Sequence, residues 1–273
     1  MPVLTVNGIR INYYDDAPPA GAQNAPAVLL VMGSGGSGRA WHLHQVPALV
    51  AAGFRVISFD NRGIAPSEEC PGGFGIDDLV ADTAALVEEL RLGPCRVAGI
   101  SMGAHIAQEL ALSRPDLVDR LVLMATRARP DALREALCRA EMELYDQGIR
   151  LPAAYEAVVQ AMQNLSPRTL DNDVQARDWL DVLELTRRSG AGYRAQLGVR
   201  VDGDRREAYR GIRAATRVVA FQDDLIAPPH LGREVADAIP GAEYELVPDC
   251  GHYGYLESPD AVNKSLVEFL RRN

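Results

Sequence analysis

No run of apolar residues in this chain of 273 approaches the roughly 18 that a membrane-spanning helix needs. Basic charge is in deficit: 28 Lys and Arg stand against 37 Asp and Glu, a net charge of −9. That balance argues against a nucleic-acid binder, which would carry a basic face, and it leaves no basic amphipathic helix for a membrane surface. Cysteine is scarce and scattered. Cys70, Cys95, Cys138 and Cys250 form no C-x-x-C pair and no zinc-ligand spacing, so free thiols and no metal are expected. Cys250, next to Gly251-His252, is expected to be a small packing residue. The opening Met1-Pro2-Val3-Leu4-Thr5 lacks the charged and apolar regions of a signal peptide, so a cytoplasmic location is expected. No glycine-rich stretch ends in Lys-Ser/Thr, as a phosphate-cradling loop would, and none carries the acidic residue of a dinucleotide site. No cofactor is expected.

What remains is ordinary for a soluble globular enzyme: 47% hydrophobic and 24% charged residues, in a length suited to one large domain with an inserted subdomain. Asn7-Gly8 between the alternating runs Leu4–Val6 and Ile9–Tyr14 predicts a hairpin, followed by a loop over Asp15–Asn24. Ala27–Met32 is a continuous apolar run, as in a strand buried on both faces. A glycine-rich loop, Gly33-Ser34-Gly35-Gly36-Ser37-Gly38, leads to a helix around Trp41–Ala52. Phe54–Phe59 predicts a strand and Ile76–Leu92 a helix. Leu121–Met124 predicts another strand. From Arg127 to about Arg210 no buried strand is evident. Helical runs replace it at Asp131–Tyr145, Pro152–Leu165, Gln175–Arg188 and Tyr193–Val199. The alternation resumes with a strand at Thr216–Phe221, a helix at Leu231–Ala238, a strand at Glu243–Val247 and a helix at Pro259–Arg271. This order implies an α/β fold: a mostly parallel sheet, helices on both faces, and an inserted helical lid over the sheet's C-terminal edge.

Gly99-Ile100-Ser101-Met102-Gly103 sits where the strand-like Arg96-Val97-Ala98 gives way to the helix-like Ala104–Leu110. A strand that reverses sharply into a helix exposes its corner residue, and glycines two positions away on each side remove the side chains that would clash. Ser101 is thus presented as a nucleophile, and the backbone N–H of Met102 faces any oxyanion formed there. The Asp223-Asp224 pair follows the strand ending at Phe221, and His252 follows the strand ending at Val247. Parallel topology gathers such positions on one sheet edge. His252 can take the serine's proton and return it to a leaving group, and a buried carboxylate fixes the imidazole tautomer.

The order Ser101…Asp224…His252, the Gly99–Gly103 elbow, the segment Asp224-Leu225-Ile226-Ala227-Pro228 and the Gly251-His252 pair resemble the α/β-hydrolase fold family, over nearly the whole chain from Val3 to Leu270. Within it the likeness is nearest to small serine esterases, thioesterases and cofactor-free haloperoxidases. The resemblance implies a core of residues 1–126 and 211–273 with a cap at 127–210. It favours Asp224 over Asp223 as the acid, because the family's acid precedes an x-Ile-x-Pro pattern. The family commonly has His-Gly after its third strand; this chain has Met32-Gly33-Ser34 instead. The donor there is a backbone N–H, so Ser34 and Met102 are assigned as the oxyanion donors.

Trp41, Met142, Tyr145, Trp179 and Tyr253 are candidate substrate-pocket residues, and Tyr155, Met162 and Tyr193 belong to the same aromatic and methionine set; the alternative is that the insert's members form its own small core. His42, His44, His105 and His230 are expected to be structural or exposed, and Arg62 to brace loops. The expected chemistry is hydrolysis of a small-molecule ester or thioester through an acyl-enzyme. An acyltransferase that takes its acyl group from an acyl carrier protein is the alternative, and a lyase or C–C bond hydrolase using the same triad is a third. A catalytically silent receptor of the same fold is a fourth. An aspartate at the elbow would signal epoxide or haloalkane chemistry; Ser101 argues against both. Oligomeric state is not legible.

Overall fold

A computed structural model of the chain describes residues 2–18, 25–186, 189–200 and 202–272. The hairpin forms as the Asn-Gly signal predicts, from β1 (Val3–Val6) and β2 (Ile9–Asp16). β2 continues through Asp15 and Asp16, where a loop was expected, because those residues pair antiparallel with the next strand but one; residues 19–24 of that loop lie outside the described set. β3 (Ala27–Val31) follows, then a 3₁₀ turn (Gly38–Leu43) and α1 (Gln45–Ala51). The single helix expected over Trp41–Ala52 is therefore broken at His44.

β4 (Arg55–Phe59), α2 (Ile76–Glu89), β5 (Cys95–Ile100), α3 (Met102–Ser113) and β6 (Val118–Met124) continue the alternation. Between β6 and the next strand the described residues form helices and no strand: α4 (Ala132–Asp146), α5 (Ala153–Asn164), α6 (Pro167–Leu170), α7 (Asp173–Leu185), α8 (Ala191–Leu197) and α9 (Arg206–Tyr209). α6 and α9 are single turns too short to leave a periodic signal, and the expected end of α7 at Arg188 falls outside the described residues. The sheet resumes with β7 (Ala215–Phe221), α10 (Pro229–Ala238), β8 (Glu243–Val247), the single turn α11 (Gly254–Glu257) and α12 (Pro259–Leu270).

The eight strands lie in the order β1-β2-β4-β3-β5-β6-β7-β8; β1, β2 and β4 pair antiparallel and the rest parallel. Strand alternation divides the core into two layers. Leu29, Val31 and Val97 face α2, α3 and α10; Val28, Leu30 and Ala98 face α1 and α12. The chain runs outward from β3 to β4, then returns to place β5 on the other side of β3. Such a reversal opens a crevice at the strands' C-terminal ends, where open α/β sheets bind ligands.

One buried ion pair ties the loop after β4 to α2. Arg62 Nε and Nη2 donate to Asp82 at 2.5 and 2.6 Å, and Asn7 Nδ2 donates to the same carboxylate at 2.9 Å. Both charges are almost fully enclosed, so removing Asp82 leaves Arg62 only the more distant Asp78 carboxylate among the described residues, at 3.6 Å. Asp82→Ala is expected to cost about 3–5 kcal/mol, read as a shift of the urea-unfolding midpoint. Arg62 braces loops, as its sequence context suggested.

Candidate active site

The β5–α3 corner puts Ser101 at φ 54°, ψ −120°, a left-handed conformation that a non-glycine residue holds only when its surroundings enforce it. Close packing supplies the enforcement. A Cβ on Gly99 would lie 2.3 Å from the Gly103 carbonyl oxygen, and one on Gly103 would lie 2.1 Å from the Val31 carbonyl oxygen. Only glycine allows the helix start to sit so close to β3. The Ser101 N–H donates to the Met124 carbonyl at 3.0 Å, which ties the corner to the end of β6.

His252 and Asp224 meet from separate loops. The His252 Nδ1···Asp224 Oδ2 distance is 2.8 Å, and both residues are buried. The other carboxylate oxygen accepts the Ile226 and Ala227 N–H groups at 2.8 and 2.7 Å. One oxygen is thus occupied by backbone and one is left for the imidazole. A carboxylate beside Nδ1 requires the proton on that nitrogen, which leaves Nε2 as the acceptor. Asp223 is not involved; its N–H donates to the Cys250 carbonyl. Glu257 secures the histidine loop, accepting the Gly251 N–H at 2.7 Å and the Ser166 N–H at 2.9 Å. Cys250 is buried, its thiol donating to the Val247 carbonyl at 3.5 Å, and burial pushes its thiol up to about 12.

Opposite the corner, the loop after β3 turns through a Gly36 N–H···Gly33 carbonyl bond of 3.2 Å. Asp60 anchors its far end by accepting Ser37 Oγ–H at 2.6 Å and the Gly38 N–H at 2.8 Å. Asn61 Nδ2 donates to the Met32 carbonyl at 2.9 Å. Gln196, from α8, reaches across: its Oε1 accepts the Gly35 N–H and its Nε2 donates to the Arg62 carbonyl, each at 2.8 Å. The backbone N–H groups of Ser34 and Met102 have no hydrogen-bond partner among the described residues. Asp60, Asn61, Gln196 and Glu257 carried no motif signal, because each acts on a backbone group distant in sequence.

Ser101 lines two adjoining cavities. The first, about 380 Å³, is bounded by His252, Tyr253, Trp179, Leu183 and Leu256. The second, about 200 Å³, is bounded by Met102, His105, Arg127, Arg134 and Cys138. Ser34 borders both. Ser101 and His252 share a wall of the first cavity with no hydrogen bond between them, a contact that commonly tightens only around bound substrate. An arrangement of this kind can present a hydroxyl to a carbonyl with a base on one side and two free N–H donors on the other.

The aromatic candidates divide. Trp179 and Tyr253 border the first cavity and stack on each other, with ring centroids 6.0 Å apart; they also pack on the small apolar cluster of the insert. Tyr193 borders the same cavity, whereas Tyr155 and Met162 are exposed and border neither. Trp41 does not border either cavity. It sits in the 3₁₀ turn before the break, with its indole fully buried against Tyr255 at 5.0 Å. Met142 and Tyr145 also miss both cavities; they lie two to three turns beyond Arg134 toward the C-terminal end of α4, and Tyr145 is exposed. His42 meets Asp16 at 2.9 Å, and His230 is exposed.

Comparison with known proteins agrees with this fold. A Mycobacterium tuberculosis protein provisionally named non-heme bromoperoxidase BpoC is 49% identical over 89% of this chain and 93% of its own length. Its crystal structure superposes with a TM-score of 0.90, covering 97% of this chain and 96% of that one. The enol-lactonase of Burkholderia xenovorans superposes with a TM-score of 0.80 at 30% identity, covering 99% of this chain and all of that one. A Variovorax paradoxus protein provisionally named carbamate hydrolase RutD is 28% identical over 92% of this chain and 94% of its length. Residues 28–265 match the alpha/beta hydrolase family. With its mostly parallel eight-stranded sheet and its elbow serine at the strand reversal, this chain belongs to the alpha/beta hydrolase family.

Proposed function

We propose that the protein is a serine hydrolase that cleaves a carboxylic ester or thioester through an acyl-enzyme. The observation that carries this reading is the convergence of three groups where two cavities meet: Ser101 on its strained corner, His252 oriented by Asp224, and the unpartnered Ser34 and Met102 N–H groups. Ser101 Oγ attacks the carbonyl carbon while its proton passes to His252 Nε2. The oxyanion accepts hydrogen bonds from Ser34 and Met102. Collapse breaks the bond to the leaving oxygen or sulfur, which takes the proton from His252. A water then gives a proton to His252 as its oxygen attacks the acyl carbon, and Ser101 recovers its proton as the acid departs. In this reading residues 1–126 and 211–273 form the catalytic core, and residues 127–210 the cap. The ester linkage cleaved by a relative named enol-lactonase is of the same class.

A fluorophosphonate probe is expected to form one adduct, at Ser101, and to abolish turnover of a panel of esters and thioesters graded in acyl length. An adduct mapped elsewhere, or full turnover by the labelled protein, overturns the reading.

A further inference from the structure

The second cavity differs from the first in chemistry. Four guanidinium groups border it: Arg127, Arg129, Arg134 and Arg200. Two are held in ion pairs. Arg127 is buried and bonded to Asp131 and to the Ile226 carbonyl. Arg129 is held by Glu234 in a two-pronged pair at 2.8 and 2.7 Å. Arg200 is exposed at the mouth beside Asp202 and Glu135, which are exposed too. Arg134 is half-buried, borders both cavities, and has no acidic partner for its guanidinium among the described residues. The inner wall is positive. His105, half-buried and facing Arg127 and Arg134, is pushed down to about 3, first by desolvation and then by those two arginines. It stays neutral at ordinary pH, so the fixed charge there belongs to the arginines. His105 Nε2 is a buried acceptor without a partner, which suits a hydroxyl rather than an anion.

Position relative to His252 assigns the two cavities. The leaving group must take its proton from His252, and His252 borders the first cavity only. The acyl part then lies on the Met102 side, in the second. Resting on the serine-hydrolase reading for this polarity, we propose that the second cavity takes a short acyl group ending in a carboxylate, and that Arg134 binds it. The planar fork of arginine matches a carboxylate with two parallel hydrogen bonds. The mostly apolar first cavity, with Trp179 and Tyr253, then takes an apolar alcohol or thiol.

Three benzyl esters test this: monobenzyl glutarate, its neutral counterpart benzyl pentanoate, and 4-carboxybenzyl pentanoate, which moves the charge to the alcohol. The wild-type protein is expected to prefer monobenzyl glutarate over benzyl pentanoate in kcat/KM by about 10- to 100-fold. Arg134→Gln is expected to erase that ratio, and Arg134→Lys to restore part of it. An equal ratio in wild type and Arg134→Gln overturns the proposal. A larger Arg134 dependence for 4-carboxybenzyl pentanoate overturns the cavity assignment. Glutarate binding by calorimetry needs no turnover: binding by wild type that Arg134→Gln weakens supports the anion site, and no binding by wild type removes it. Failure of the serine reading is distinct, because it shows as no fluorophosphonate adduct and no cleavage of any of the three esters.

Discussion

Ser101→Ala is expected to lower ester turnover by about 10⁶-fold, with the far-UV circular dichroism spectrum unchanged. The hydroxyl is half-exposed at the meeting of two cavities, so its loss leaves no buried partner unsatisfied and the fold has little reason to respond. The rate has every reason to. Without the nucleophile no acyl-enzyme forms, and what remains is the slower acceleration from bound substrate and the N–H donors, about 10³- to 10⁴-fold over water. Asp224→Asn should fall less, by about 10⁴-fold, because the geometry survives while the imidazole is left in the wrong tautomer. A Ser101→Ala protein that keeps a hundredth of the turnover would place the attacking group elsewhere.

Gly103→Ala is expected to be among the most damaging single methyl groups in the described residues. The added carbon would lie 2.1 Å from the Val31 carbonyl oxygen and 2.8 Å from that of Met32, both backbone atoms. Backbone of a central strand cannot step aside as a side chain can, so α3 must move instead. The expected cost is about 3 kcal/mol or more in urea unfolding. The displacement also carries Ser101 with it, and about an ångström of misplacement costs roughly 10²-fold in rate. Gly72→Ala is the matched control: its added carbon would meet nothing within 4 Å, and both stability and rate should stay near wild type.

Much of the site was legible in the chain because its signals are local or topological. The elbow needs five adjacent residues, the hairpin needs Asn7-Gly8, and Asp224 and His252 each follow an apolar strand. The pocket was not legible in the same way. Trp41 is close in sequence to the Ser34 loop, yet its ring is buried in the core against Tyr255. Met142 and Tyr145 share α4 with Arg134, and nothing in a helix with no fully buried residue says which turn meets the cavity. The insert's composition names the candidates, and only its packing against the loops of the sheet separates them. Gln196 shows the limit most clearly. A single amide, 161 residues from the backbone N–H it receives, leaves no pattern to read.

That amide also bears on how such a protein could be rebuilt. The inserted helices leave the sheet after β6 and return at β7, strands that are direct parallel neighbours. A segment with adjacent entry and exit points can be exchanged for another without disturbing strand order, so chain descent and laboratory recombination alike could pair this sheet with new covers. Gln196 sets a condition on the exchange. A replacement segment that lacks an amide at that place would cover the site yet leave the turn at Gly35 unsupported, and the graft would bind without turning over.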